Sequence, residues 1–251
     1  MIEVVILGSG AAMPQVGRAN ACYYVKTDLP LLLDFGPGAL INMLHAGIDR
    51  SRLGHLFWTH LHADHISEFI PFFFHEGCYS KANSRGDLIL YGPAGTRKLV
   101  KSIIRTFPGF ATAGFRFRVK EIGPGKIRLG QTLVHAYPVR HSPRLEALGY
   151  RIEYAHRTVV YSGDVIYGPE LIELCRSADL AIVEATCPAE HPIEGHLTAA
   201  QACQAAKAAG VKKLVLTHFD PIWKGYNLKA QCEGWFDGEI VEAEDLMRIW
   251  V

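Results

Sequence analysis

The chain has 251 residues, 26 basic and 25 acidic side chains, and a formal net charge of +1. This balance excludes a global basic field that would attract a polyanion, although it is compatible with a local basic patch. No apolar run reaches the ~18 residues of a membrane span, and the six cysteines form none of the CxxC pairs of a zinc ribbon. We therefore expect a soluble cytoplasmic protein without disulfides, folded as one domain over residues 1–251.

The first half of the chain predicts strands that alternate with helices. Apolar, β-branched runs that end in glycine or proline turns indicate strands, and apolar residues at helical spacing indicate helices. We predict strands at 2–7, 21–26, 31–34 and 88–91, and helices at 39–46, 64–79 and 96–107.

The second half repeats this mixture. We predict short antiparallel strands across 115–137, a hairpin of 148–154 and 158–161, a helix at 169–176, a strand at 178–184, a helix at 198–209, a strand at 213–217 and a closing hairpin within 238–251. Thr198 has the side chain to cap the helix that follows it. Two such halves favour an α/β (α+β) sandwich of two sheets flanked by helices.

The most informative stretch runs from Thr59 to His65 and reads THLHADH. Three imidazoles and a carboxylate within six positions are a typical donor set for a metal site. In an extended segment His60 and His62 share a face, whereas Asp64 and His65 fall in the first turn of the next helix. This bend presents two pairs of donors in two directions, which suits two metal ions close together.

The motif resembles that of the metallo-β-lactamase superfamily, and later segments follow in the order that this superfamily requires. His141, Asp164 and His218 each follow an apolar, β-branched run, where a strand would deliver a ligand to a sheet edge. The resemblance implies a four-layer αββα sandwich with two divalent metal ions, for which these donors favour Zn²⁺ but also suit Mn²⁺ or Fe. It also implies two ligand sets that share a bridging Asp164: His60, His62 and His141 for one ion, and Asp64, His65 and His218 for the other.

Three more residues enter through the resemblance. An aspartate at the position of Asp34 supports a ligating imidazole in the superfamily, although a plain turn residue explains it equally well. His196 and Glu184 resemble the HxT histidine and its supporting glutamate in the ribonuclease Z branch and related phosphodiesterases. A histidine oriented by a carboxylate can protonate a departing alkoxide, although His196 could also be a helix-start residue without chemistry. We count Asp64 as catalytic together with His196 and Glu184.

The substrate prediction depends on one departure from the ribonuclease Z branch. That branch carries a long Gly/Pro- and Lys-rich arm that grips tRNA between the third-motif histidine and the bridging aspartate. Here only 22 residues separate His141 from Asp164, and the predicted hairpin fills them. We therefore predict a binuclear zinc phosphodiesterase that attacks small phosphodiesters, such as cyclic nucleotides or nucleotide fragments, by a metal-bridging hydroxide with a histidine general acid.

Other functions stay open at this point. The same site could belong to a ribonuclease Z-type tRNA 3′-endonuclease, to a hydrolase of thioesters, sulfate esters or lactams, or to a binding module that has lost its metals. A redox relative is disfavoured because the chain has no length for a fused flavin domain. Nucleic acid is a less favoured partner, a membrane is not expected, and a homodimer is suggested only by analogy. Arg140, Arg144 and Lys224 are weaker candidates for contacts with a phosphate.

Overall fold

Strands with buried side chains form two sheets of seven strands each. The structure is a computed structural model that describes residues 1–79, 86–107 and 115–251, with residues 78 and 79 described by their backbone alone. In spatial order the first sheet consists of β14 (Arg248–Trp250), β1 (Glu3–Gly8), β2 (Cys22–Lys26), β3 (Pro30–Leu33), β4 (His55–Phe57), β5 (Leu88–Gly92) and β6 (Phe117–Glu121). The second consists of β13 (Glu239–Glu242), β12 (Lys213–Thr217), β11 (Leu180–Glu184), β10 (Arg157–Tyr161), β9 (Ala147–Tyr154), β8 (Thr132–Val139) and β7 (Gly125–Leu129).

Helices cover the outer faces of both sheets. The described part of the chain contains α1 (Ala39–His45), α2 (Ala63–Ile66), α3 (Phe69–Tyr79), α4 (Thr96–Thr106), α5 (Pro169–Cys175), α6 (Ala199–Ala209) and α7 (Leu228–Cys232). Helices α1, α3 and α4 share a buried apolar cluster with the first sheet, and α5 and α6 share another with the second sheet. This is the predicted four-layer αββα sandwich. None of these helices combines the length and the apolar character needed to cross a membrane.

Several local predictions are confirmed in detail. The hairpin of β9 and β10 turns at Ala155 and His156, which both have positive φ angles, as tight two-residue hairpin turns require. Thr198 caps α6 through a capping box, since its hydroxyl accepts from the Gln201 amide at 3.3 Å and its own amide donates to the Gln201 side chain at 3.0 Å.

The helix predicted at 64–79 is interrupted, so that α2 ends before α3 begins. At the break, the Glu68 amide donates to the Phe35 carbonyl at 3.1 Å. The Glu68 carboxylate accepts from the Leu40 amide at 3.1 Å. These contacts with distant residues hold the break in place, and helical spacing in the sequence does not reveal them.

Two predicted strand pairings are wrong. The segment 238–251 is not a hairpin, because β13 pairs in parallel with β12 whereas β14 pairs antiparallel with β1 in the other sheet. Hydrogen bonds from Ala243 to Leu216 and from Leu246 to Ile6 fix the crossing between the sheets. The strands within 115–137 also divide, since β6 runs parallel to β5 in the first sheet and β7 begins the second. A short strand carries no local signal that tells which sheet will accept it.

Candidate metal centre

The predicted ligands converge because the strands before them end at one edge of the sandwich. Strands β10, β11 and β12 are mutually parallel, and so are β3 and β4. In sheets of this kind, ligand sites form beyond the carboxyl ends of the strands. The loops that follow β4, β8, β10 and β12, together with α2 directly after the β4 loop, carry the seven predicted ligands, namely His60, His62, Asp64, His65, His141, Asp164 and His218.

The structure brings the seven side chains together in the two groups that the sequence predicts. One group contains His60, His62, His141 and Asp164, with all donor atoms within 4.8 Å of one another. The other group contains Asp64, His65, Asp164 and His218 within the same distance. Asp164 belongs to both groups, which is the position that a bridging ligand requires.

Hydrogen bonds behind the first group orient its imidazoles. Nδ1 of His60 lies 3.0 Å from the Thr59 hydroxyl, and Nδ1 of His141 lies 2.8 Å from the Gly195 carbonyl oxygen. Each ring therefore has Nε2 left for the centre, and Nε2 of His141 is 3.2 Å from Nδ1 of His62. A hydrogen-bond partner on the second ring nitrogen fixes the angle of a metal-ligating histidine.

Asp34 supports the second group. Its carboxylate accepts from the Thr59 amide at 2.7 Å, from the Tyr161 hydroxyl at 2.7 Å and from Nδ1 of His65 at 2.7 Å. Asp34 is 1% exposed and adopts a φ of 53°, a conformation that residues with a side chain rarely occupy. The structure thus places Asp34 where the supporting role needs it, and Tyr161 is a second support that the sequence did not reveal.

Two backbone features press the loops together at the centre. Gly163 has a φ of 59°, and a Cβ atom there would lie 2.8 Å from Cβ of Thr59. Only glycine allows this approach, which sets Asp164 beside the loop of His60. His218 also has a positive φ of 61°, and strained residues of this kind cluster at functional sites.

The donors fit divalent ions in two respects. Among the described residues, Nε2 of His60 and Oδ1 of Asp164 are buried without a hydrogen-bond partner. Unpaired buried polar atoms are costly, and a cation between the donors would satisfy both. Nε2 of His65 and Nε2 of His218 also face each other at 3.2 Å, as two ligands of one ion do.

The electrostatic environment gives most donors the protonation that ligands need. Burial raises the pKa of Asp64 and Asp164, but the neighbouring histidines outweigh it and hold both pKa values below the usual range. Burial and neighbouring imidazoles lower the pKa of His60 and His62, which favours their neutral form. His65 is the exception: despite burial, Asp164 and Asp34 raise its pKa, so an ion bound there would displace a proton.

His196 and Glu184 lie at the edge of the second group. Nδ1 of His196 is 3.2 Å from both carboxylate oxygens of Glu184, as the sequence predicts for an oriented histidine. Glu184 is 1% exposed, and it also accepts from the Val165 amide at 2.7 Å and from the Leu197 amide at 3.1 Å. Burial lowers the pKa of His196, but the hydrogen bond and charge of Glu184, together with Asp164, raise this pKa to about 9.

Thr186 is a site residue that the sequence analysis missed. Its hydroxyl donates to Glu184 and lies 2.9 Å from Nδ1 of His218 and 3.3 Å from Nδ1 of His196. The hydroxyl therefore connects the glutamate with one candidate ligand and with the candidate acid. Its position two residues after Glu184, just beyond the end of β11, was the available signal, since residues two apart share a face in an extended segment.

A cavity of about 390 Å³ opens onto the centre. Its walls are formed by loops that follow the strands and include Ala11, Ala12, His62, Asp64, Asp164, Thr186, Ile193, His196, His218 and Asp220. The weaker phosphate candidates Arg140, Arg144 and Lys224 do not line it. Arg140 instead lines a neighbouring cavity beside His141 and pairs with Glu170 at 3.2 Å.

A family model described as Beta-lactamase superfamily domain matches residues 31–219. The chain therefore belongs to the beta-lactamase superfamily, and it is a hydrolase of the metallo-β-lactamase fold. A ribonuclease Z from Mycobacterium sp. (strain KMS) is 30% identical over an alignment 277 residues long, which covers all of this chain and 96% of the relative.

Solved structures share the fold over the whole chain. The metallo-beta-lactamase fold protein YhfI from Bacillus subtilis superposes with a TM-score of 0.84 at 23% identity, covering 99% of this chain and 98% of that protein. The short form of human tRNase Z superposes with a TM-score of 0.80 at 24% identity, again covering 99% and 98% of the two chains.

Proposed function

We propose that this hydrolase cleaves phosphodiester bonds with two divalent ions, zinc first and manganese or iron as alternatives. His60, His62 and His141 would hold one ion, Asp64, His65 and His218 the other, and Asp164 both. Imidazole-rich donor sets favour zinc. When bound, such a pair of ions supplies a water-derived nucleophile at neutral pH and neutralises charge on the phosphoryl oxygens.

The contact between His196 and Glu184 carries the proposal. An alkoxide that leaves a phosphodiester needs a proton, whereas a stabilised leaving group does not. Glu184 occupies Nδ1 of His196, so that Nε2 is the nitrogen free to deliver a proton. Glu184 and Asp164 raise the pKa of His196, and nearby cations would lower it. A general acid is most effective when its pKa lies near the operating pH.

The substrate that fits best is a small phosphodiester, such as a cyclic nucleotide or a nucleotide fragment. The cavity of about 390 Å³ is of the size that takes a small molecule. Between His141 and Asp164 the chain forms only the β9–β10 hairpin, so no arm for gripping a folded RNA extends from this position.

A second candidate is tRNA 3′-end cleavage. The observation that favours it is the ribonuclease Z relative, which matches along the whole of this chain and nearly the whole of its own length. The two candidates share the metal centre and His196, and they differ in how the substrate is held. By analogy with the same relatives we also propose a homodimer. This assembly matters mainly for the second candidate, tRNA 3′-end cleavage.

Hydrolysis of bis(p-nitrophenyl) phosphate by metal-replete protein tests the reaction class. Phenyl sulfate and a thioester serve as control substrates, and an unprocessed tRNA tests the second candidate. Turnover of the phosphodiester alone supports the small-substrate proposal. No turnover of the phosphodiester with turnover of another ester would refute it, and cleavage of the tRNA at its 3′ end would favour the second candidate.

A further inference from the structure

Positive charge is concentrated in one part of this nearly neutral chain. The segment 97–128 contains nine lysines and arginines and a single acid, Glu121. The remaining residues therefore contain seventeen basic and twenty-four acidic side chains, so that the segment carries +8 and the rest −7. A local field of one sign is the feature by which proteins attract polyanions.

The fold assembles the described parts of this segment, residues 97–107 and 115–128, at one open edge of the sandwich. Strands β6 and β7 are the last strands of their respective sheets, and α4 packs beside β6. Arg118 and Lys120 alternate along β6, Arg116 lies directly before it, and Lys126 and Arg128 alternate along β7, all of them exposed. We call α4, β6 and β7, together with Arg116, the basic edge, which contains the nine basic side chains of the segment.

Helix α4 presents its charges on one side. Val100 is buried against the first sheet, with Leu99 and Ile104 packed nearby, whereas Lys98, Lys101 and Arg105 are exposed. With Arg97, Ser102 and one acid, Glu121, these side chains line an open groove of about 550 Å³. The helix rises ~1.5 Å per residue, so Arg97, Lys101 and Arg105 form a row with steps of ~6 Å.

Few acids neutralise the basic edge. Glu121 accepts from the amides of Gly95 and Arg97 at the start of α4, and its distance to the Arg97 side chain is 4.0 Å. Arg118 pairs with Asp87 at 3.4 Å. Among the described residues, the other seven basic side chains of the edge form no salt bridge, and so their charge is available to a partner.

The basic edge begins next to the loop that carries His60 and His62. A Cβ atom at Gly95 would lie 3.3 Å from Leu61, the residue between His60 and His62. The Ala94 amide donates to Glu146 at 3.4 Å, and Glu146 lines the cavity beside His141. The row of charges on α4 therefore starts at the loop that carries the first candidate ligands and leads away from it.

We propose that the basic edge binds the phosphate backbone of a single-stranded nucleic acid. A row of cations that starts beside the loop of His60 and His62 can hold successive phosphates of one strand, and the entry of that strand's end into the cavity rests on the proposed phosphodiester cleavage. The small size of that cavity suits one strand rather than a duplex. Lysines and arginines at such a surface contribute to affinity by releasing counterions from the backbone, independently of base sequence.

Charges on edge strands can also protect the edge from pairing with other chains. The test must separate this role from binding of a nucleic acid. Lysine and arginine on β6 and β7 also discourage pairing of these open edges with other chains. Helix α4 has no unpaired strand edge, so its lysines and arginine gain nothing from that explanation. The informative variants therefore lie on α4.

The experiment compares two triple variants of equal net charge. The test variant is Lys98→Gln, Lys101→Gln and Arg105→Gln, since glutamine keeps the helix propensity of lysine. The control variant is Lys26→Gln, Arg52→Gln and Lys229→Gln, which removes three exposed cations outside the basic edge. Fluorescence anisotropy of a labelled twelve-nucleotide single strand, titrated between 50 and 200 mM salt, measures binding without turnover, and a gel confirms that the strand is intact.

We expect the test variant to bind about tenfold more weakly at low salt. The slope of log K against log salt should fall by about 2, because each lost contact with a single strand removes ~0.7. The control variant should keep the wild-type slope. The anisotropy measurement detects binding without cleavage. A protein that binds the strand but cleaves no phosphodiester would therefore refute the phosphodiesterase proposal and leave the binding proposal standing.

Three results would overturn the proposal. Equal loss in both variants would show a net-charge effect with no defined surface. Polyglutamate that displaces the strand as well as unlabelled oligonucleotide does would show a surface for anions in general. Binding to phosphatidylserine vesicles without binding to the oligonucleotide would assign the basic edge to a lipid surface instead.

Discussion

Nδ1 of His196 lies 3.2 Å from each carboxylate oxygen of Glu184, and Glu184 is buried while His196 borders the cavity. Two backbone amides also donate to Glu184, so that the carboxylate is held in place before any substrate arrives. A buried carboxylate of this kind orients the imidazole and favours its protonated form. If His196 is a general acid, its importance must depend on the leaving group.

We expect His196→Ala to lower kcat by ~10²–10⁴ for phosphodiesters with an alkoxide leaving group, the usual contribution of a general acid. The loss should be much smaller for bis(p-nitrophenyl) phosphate, because p-nitrophenolate leaves without a proton. Steady-state kinetics on both substrates and metal analysis check this. An equal loss on both substrates, or a loss of metal, would assign His196 a structural or ligand role.

Glu184→Gln should reproduce this dependence on the leaving group with a smaller loss, because His196 stays present but loses its charged partner. Kinetics on the same two substrates measure it, and thermal unfolding controls for the buried amide contacts of Glu184. A variant with wild-type kinetics on the alkoxide substrate would exclude the positioning role.

Asp164→Asn should lower the number of bound ions, because Asp164 is the one side chain in both donor groups. An amide keeps the shape but removes the charge that two cations share. Inductively coupled plasma mass spectrometry after desalting gives the metal content. Asp220→Asn is a matched control, since Asp220 lines the same cavity but belongs to neither donor group. Two ions retained by Asp164→Asn would contradict the bridging role.

Asp34→Asn should weaken metal binding by about 10–100-fold, the usual effect of losing a partner of a ligating histidine. Its carboxylate accepts from His65, Thr59 and Tyr161, and an amide cannot accept from all of them. Tyr161→Phe removes one donor from the same carboxylate and should affect metal affinity far less. Titration with a competing chelator compares the two variants, and equal affinities would show that the charge of Asp34 is not needed.

Asp179 provides a pH-dependent contribution to stability away from the metal centre. Partial burial raises its pKa, but hydrogen bonds from Lys212 at 2.8 Å and from the Thr158 amide at 2.9 Å outweigh this and lower it. A pKa lowered by folding stabilises the protein above the unfolded pKa, and this stabilisation is lost as the pH falls through the folded pKa. Stability should therefore depend on Asp179 at neutral pH and not in strong acid.

We expect Asp179→Asn to reduce the free energy of unfolding by about 1–2 kcal/mol at pH 7. The difference from wild type should shrink as the pH falls below the ordinary aspartate range. Denaturant unfolding at several pH values measures it. Asp237→Asn is the control, because Asp237 is 80% exposed in its pair with Lys207, and such surface pairs contribute little. A difference that persists unchanged in acid would contradict the assigned cause.

Local patterns in the sequence determined much of this protein. The THLHADH segment revealed its donors because all of them lie within a single bend. The resemblance to the superfamily singled out His141, Asp164 and His218, and the apolar run before each of them predicted a position at a sheet edge. Thr198 correctly predicted the start of α6, because a capping residue and its helix are neighbours in the chain.

Only the tertiary structure decided what depends on distant contacts. Three features depend on contacts between residues far apart in sequence. They are the break between α2 and α3, the placement of β13 and β14 in separate sheets, and the link that Thr186 makes between Glu184 and His218. The composition excluded a global basic field, but the fold gathers the positive charge of 97–128 at one edge. Composition adds charges without regard to position, whereas the field that a partner meets depends on where folding places them.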